Sequence, residues 1–278
     1  MVGVPEQEGR LAPGWYETDD GGGRRFFDGH AWVVLEPAVQ RRHGRGDRVV
    51  PVVVVPVVLV VLATSLVVAR TVAGRMEPSS SAVAVVVLVS YGPVLAVVLV
   101  ARRRWVTLGH TDISWTLRRA DLLWGPVAWS AIVVLQVFAV AVLLVLDVPI
   151  AGNLDRVVGG TASRLLLVVV AVGVAPVVEE ITFRGVVLGG LLQRIGAPGA
   201  VIVQALVFGA AHVDPTAGWS SIGTAVVLGA VGVGLGAVVV STNRLGAAVV
   251  AHAMFNGVAL AVAWTGLGER AGIDLFGG

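Results

Sequence analysis

The chain has 278 residues, of which 56% are hydrophobic and only 14% charged, with a net charge of +2. A water-soluble domain of this length needs far more polar surface, so the composition excludes one and points to a chain that is solvated by a bilayer. All 20 basic residues are Arg, gathered near the ends of apolar stretches, which suits membrane topology and not nucleic-acid binding; the absence of Cys excludes thiol nucleophiles, disulfides and Cys-ligated metals. Residues 1–48 form a polar N-terminal region that does not read as a cleavable signal peptide, which leaves targeting to the first membrane span. Within it, Pro13-Gly14-Trp15-Tyr16, Arg24-Arg25-Phe26-Phe27 and Trp32 predict two or three short strands, with Gly21-Gly22-Gly23 and Asp28-Gly29 as turns. Trp15, Phe26, Phe27 and Trp32 can supply a very small aromatic core, marginal in isolation.

The rest, 49–278, is predicted to be an all-α polytopic membrane domain. Apolar segments near 49–69, 81–101, 122–146, 163–193, 198–213, 221–241 and 245–264 are each close to the ~20 residues that cross the hydrocarbon core. That gives about seven helices, or eight with a re-entrant segment. The fourth is long enough to be tilted or broken, with Pro176 as the kink point. Arg41, Arg42, Arg45 and Arg48 precede the first segment, and Arg102, Arg103, Arg104, Arg118 and Arg119 fill the second loop. The positive-inside rule puts these and the N-terminus in the cytoplasm, and seven spans then put the C-terminus outside.

Three polar clusters interrupt the apolar segments. The first is Glu179-Glu180-Ile181-Thr182-Phe183-Arg184, in mid-span, where a charge costs at least ~2.5–3.5 kcal/mol. Glu180 and Arg184 have the i, i+4 spacing of a helical ion pair, while Glu179 points about 100° away and stays available. The second cluster is Phe208-Gly209-Ala210-Ala211-His212, whose small residues let a neighbouring helix approach. The third is His252-Ala253-Met254-Phe255-Asn256, with His252 and Asn256 on one face. Each His needs a partner from another helix. Counting ~1.5 Å per residue puts Glu179, His212 and His252 in one broad central zone of a ~30 Å core, so they can share a cavity.

In this order, Glu-Glu-x-x-x-Arg, Phe-x-x-x-His and His-x-x-x-Asn resemble the three motifs of the CAAX-protease and bacteriocin-processing (CPBP, or Abi) family of intramembrane proteases. The resemblance covers about residues 120–264. It implies hydrolysis of peptide bonds of membrane-associated substrates in a cavity open to the cytoplasm. In that reading Glu179 and His212 orient and deprotonate water, His252 and Asn256 donate to the oxyanion, and Glu180, Arg184 and Phe208 support them. Glu179, His212 and His252 also form a candidate Zn²⁺ set of two His and one carboxylate, although no His-Glu-x-x-His helix is present; a metal-free mechanism stands beside it. Residues 11–36 resemble a short Trp-rich module found at the N-terminus of many actinobacterial membrane proteins. With the biased composition, this points to a bacterial plasma membrane and argues against a prenylated substrate. The implied partners are a peptide or protein substrate and the lipid bilayer.

Two other classes compete. Intramembrane Glu, Arg and His also serve proton-coupled carriers, but only one broken-helix candidate is present, where carriers use paired ones. A non-catalytic membrane scaffold conferring immunity to a peptide toxin would use the same groups for binding. A serine mechanism is disfavoured, because Ser90 and Ser130 lack a His or Lys at a useful spacing. Asp147, Asp155 and Asp214 read as loop residues, and Gly229, Gly232, Gly234 and Gly236 read as helix-packing positions.

Overall fold

The computed structural model describes residues 14–17, 24–27, 32–33, 54–77, 79–105, 116–150, 164–214 and 217–265. The chain divides into two units, Met1–Asp47 and Arg48–Gly278. In the first unit, strands β1 (Gly14–Glu17), β2 (Arg24–Phe27) and β3 (Trp32–Val33) form an antiparallel sheet in the order β1-β2-β3. The register places Trp15 opposite Phe26 and Phe27 opposite Trp32. The expected turns, the packing of the four aromatic side chains, the Arg residues at 41–48, and Asp155 lie outside the described residues.

The second unit has seven helices long and apolar enough to cross a membrane among the described residues. They are α1 (Val54–Ala73), α2 (Ser80–Trp105), α3 (Asp121–Val145), α4 (Arg164–Leu192), α5 (Arg194–Ala211), α6 (Ser220–Thr242) and α7 (Gly246–Thr265). Most ends fall within a few residues of the sequence reading. Helix α5 starts four residues early at Arg194, α2 runs four residues past its expected end to Trp105, so that Arg102, Arg103 and Arg104 belong to it and not to the loop, and α1 likewise runs four residues past its expected end to Ala73. Arg70 explains the extension: it stays in the last turn, where Nη2 donates to Val213 O at 2.6 Å and ties α1 to the end of α5. Pro56 sits in the first turn of α1, where no intrahelical N–H is needed.

Helix α4 runs through the middle of the unit and packs against α1, α2, α5, α6 and α7. Residues 182–190 are buried on every side, as expected for a helix enclosed by others. Two apolar clusters flank it. One joins Ile132 of α3, Val201 of α5, Leu235 of α6 and Ala251 of α7 around Leu188; the other joins Val58 of α1, Val94 of α2 and Phe208 of α5 around Phe183. The outward faces stay apolar, as on α3 with Leu123, Val134, Phe138 and Val145, which lipid tails tolerate and water would not.

The break expected at Pro176 takes a different form. Instead of a sharp kink, α4 widens into π-helical turns at Val169–Val174 and Glu180–Leu188, on either side of a short α-helical piece, Ala175–Glu179. Such turns are frequent at functional sites. The corner between α4 and α5 is at Gly196, whose φ of 70° lies in the left-handed region open to glycine. Glu179 is 17 residues before this corner and His212 is 16 after it, so the antiparallel pair brings them to the same depth. Small residues set the helix spacing: a Cβ on Gly209 would run into the Ala225 carbonyl of α6, and one on Gly232 would meet Ala205 of α5. At the other corner, Asn243 adopts the left-handed conformation (φ 52°) that closes α6. Arg244 Nη2 then lies 3.0 Å from the buried Asp121 Oδ1, fixing the start of α7 against the start of α3.

Candidate active site

Glu179 and Glu180 are neighbours in sequence with separate surroundings. The Glu180 side chain is fully buried, and its Oε1 accepts from Arg184 Nη1 at 2.8 Å and from His252 Nδ1 at 2.8 Å. Arg184, also fully buried, donates through Nη2 to Gly232 O (3.3 Å), a carbonyl that Gln204 Nε2 reaches as well (2.8 Å). The guanidinium carbon lies 4.5 Å from the centre of the Phe208 ring. Phe208 in turn stacks at a tilt on His212 (4.6 Å) and meets the edges of His252 (5.9 Å) and Phe183 (5.0 Å). The ion pair expected at i, i+4 therefore exists, and it also fixes His252 and Phe208.

Glu179 faces a partly open space, with its side chain 13% exposed and that of His212 28%. Its Oε1 accepts from the Tyr91 hydroxyl of α2 at 2.6 Å. Its Oε2 faces His252 Nε2 at 3.7 Å and His212 Nε2 at 3.9 Å. The Nδ1 contacts orient both rings. His212 Nδ1 lies 2.7 Å from Phe208 O, and a carbonyl can only accept, so Nδ1 carries the proton. His252 Nδ1 faces an acceptor carboxylate and does the same. In the neutral rings Nε2 is then a lone pair. Three acceptors converge on one point, at separations too long for direct hydrogen bonds and short enough for a shared water.

The donor types suit zinc, but the spacing does not. Two ligands on a tetrahedral zinc with ~2.0–2.1 Å bonds lie about 3.3 Å apart. Here the carboxylate-to-imidazole distances are 3.7 and 3.9 Å, and no group of three such side chains among the described residues is arranged to hold a metal.

Of the seven site residues expected from sequence, six gather here: Glu179, Glu180, Arg184, Phe208, His212 and His252. Asn256 does not join them. Its Nδ2 donates instead to Ala171 O of α4 at 2.8 Å. Ser90 and Ser130, set aside as nucleophiles, return their hydroxyls to Val86 O and Pro126 O of their own helices. Tyr91 was missed. The available signal was weak: one of only two Tyr in the chain, in mid-span, where a phenol needs a hydrogen-bond partner.

Residues 161–258 match the family model described as Rce1-like, type II CAAX prenyl endopeptidase. Over these residues the chain is similar to the CAAX-protease family. No curated protein and no solved structure matches the chain. The match begins just before α4 and ends within α7, narrower than the 120–264 expected from sequence, so α3 falls outside it. Tyr91 also falls outside, although its hydroxyl donates to Glu179, which lies inside the match.

Tyr91 fixes one oxygen of Glu179 and thereby aims the other at the two imidazoles. Replacing Tyr91 with Phe keeps the ring and removes that bond. The Glu179 carboxylate then rotates more freely, and turnover of a reporter peptide is expected to fall about 10-fold, the worth of one misplaced hydrogen bond of ~1.4 kcal/mol in the transition state. Michaelis parameters check this: kcat should carry the loss, with KM nearly unchanged.

Proposed function

We propose that this chain is an intramembrane endopeptidase in which Glu179 is the general base. The observation that carries the reading is the convergence of His212 Nε2 and His252 Nε2 on Glu179 Oε2, with Tyr91 holding the other oxygen. A water in this space accepts no proton from the three groups in their neutral-imidazole form, so it donates to them. Donation to Glu179 and His212 leaves its lone pair pointing away, towards an incoming carbonyl carbon. As the C–O bond forms, Glu179 takes the proton, and it later delivers that proton to the amine that leaves when the C–N bond breaks. His252 keeps its Nδ1 proton on Glu180 throughout.

The partners of this reading are a peptide or protein substrate at the membrane and the bilayer itself.

The test is cleavage by full-length protein in liposomes. Two fluorescence-quenched peptides of identical sequence are presented, one ending in a farnesylated CAAX tetrapeptide and one tethered by an acyl chain. Cleavage of the acyl-tethered peptide is the expected result. Cleavage confined to the farnesylated peptide would overturn the bacterial-substrate expectation and keep the peptidase. Cleavage of neither, together with proton flux across the same liposomes, would replace the peptidase with a carrier. Metal content of the purified protein, read beside chelator sensitivity, decides between the water-only and zinc forms.

A further inference from the structure

The contact of Asn256 has a specific origin in the backbone of α4. Ala175 N–H donates to Val170 O, a spacing of five residues. In this register the partner of Ala171 O is the N–H of residue 176, and residue 176 is proline, which has none. In the α-helical register the partner would be Ala175 N–H, already committed to Val170 O. Ala171 O is therefore a carbonyl without a backbone donor at membrane depth, where an unpaired group is costly. Asn256 Nδ2 donates to it at 2.8 Å from the neighbouring helix. Next to Asn256, Gly257 lies against Val172 of the same turn, so α7 packs directly on the widened segment.

We infer that Asn256 is a positioning residue for Glu179: it satisfies the carbonyl that Pro176 leaves unpaired, holds the π-helical turn of α4, and so fixes the direction in which Glu179 leaves the helix three residues later. The wide turn changes the rotation of everything C-terminal to it. Without the cross-helix bond, α4 has no reason to keep that rotation, and a slip of one residue turns Glu179 by about 100° away from His212 and His252. One amide hydrogen of Asn256 is used in this bond, so a direct role on substrate would rest on the second alone. The catalytic consequence rests on the peptidase reading above; the backbone consequence does not.

The test is a double-mutant cycle with Asn256→Ala and Pro176→Ala in full-length protein. Pro176→Ala restores a backbone N–H that can satisfy this turn, so it should make Asn256 dispensable there. In the native background, Asn256→Ala is expected to lower Tm in detergent by about 2–4 °C and to speed amide exchange across residues 170–180. In the Pro176→Ala background the same change should shift both measurements by less than a third as much. On the acyl-tethered peptide, Asn256→Ala should lower kcat with KM little changed, and adding Pro176→Ala should recover most of the loss. Equal effects of Asn256→Ala on exchange and Tm in both backgrounds would overturn the inference. Unchanged exchange with turnover abolished in both backgrounds would also overturn it and make Asn256 a direct donor to substrate. If wild type cleaves no peptide, the peptidase reading fails, while the exchange and Tm cycle still decides this one.

Discussion

Glu179→Gln is expected to reduce kcat by about 10²–10⁴-fold, the usual contribution of a positioned general base. The substitution is nearly isosteric. Gln can still accept from Tyr91 through its amide oxygen, so the contact to α2 at 2.6 Å has no reason to break. What is lost is the ability of the second oxygen, the one facing His212 and His252, to take a proton from water. Because Glu179 is only partly enclosed and takes no part in the Glu180–Arg184 pair, the fold should tolerate the change, with Tm within about 2 °C of wild type. KM should move little, since the interaction matters most while the proton is in transfer. A variant that keeps more than a tenth of wild-type kcat would remove Glu179 from the role of base. A variant that unfolds would instead show that the carboxylate holds the helices together, and Glu179→Asp, which keeps the charge one methylene shorter, would then separate the two effects.

The second large effect is on stability. Arg184→Met is expected to destabilise the protein by about 3–5 kcal/mol, the cost of leaving one member of a buried pair uncompensated. Both side chains of the Glu180–Arg184 pair have 0% exposure, so no water is available to replace the guanidinium. Glu180 would keep only His252 Nδ1–H as a donor, and Gly232 O would lose one of its two side-chain donors while keeping Gln204. The Phe208 ring would lose the cation on its face, although Met can fill most of the volume. The double substitution Glu180→Gln with Arg184→Met removes both charges and should recover more than half of the lost stability. Thermal unfolding in detergent measures both. A single-variant loss below about 1 kcal/mol would mean that the pair is peripheral to stability. Turnover should fall in the single variant too, because Glu180 and Phe208 both hold the imidazoles that face Glu179.

These two carboxylates illustrate what a spacing rule can and cannot supply. The i, i+4 relation of Glu180 and Arg184 was enough to foresee their bond and to set Glu179 apart from it. The rule did not foresee that Glu180 would also accept from His252, because that contact joins residues 72 positions apart. Tyr91 is separated from Glu179 by 88 positions and belongs to a helix outside the family match, so nothing local to it signals the contact. Asn256 is the opposite case. Its motif spacing placed it beside His252, as the helix geometry requires, yet its amide is directed to a carbonyl that is exposed only because α4 is wound in a wider register around Pro176.

Composition and hydropathy were enough to show that the chain crosses a bilayer and where its long helices run, since the cost of polar groups in hydrocarbon writes span length directly into the residues used. The run of residues also gave which costly groups sit at mid-depth and in what order, and that order carried the resemblance to the family. The winding of α4 and the direction of each side chain were decided only by tertiary structure. A choice between a four- and a five-residue hydrogen-bond spacing differs by little within one helix, and it is settled by whichever neighbouring helix can satisfy the backbone groups left over.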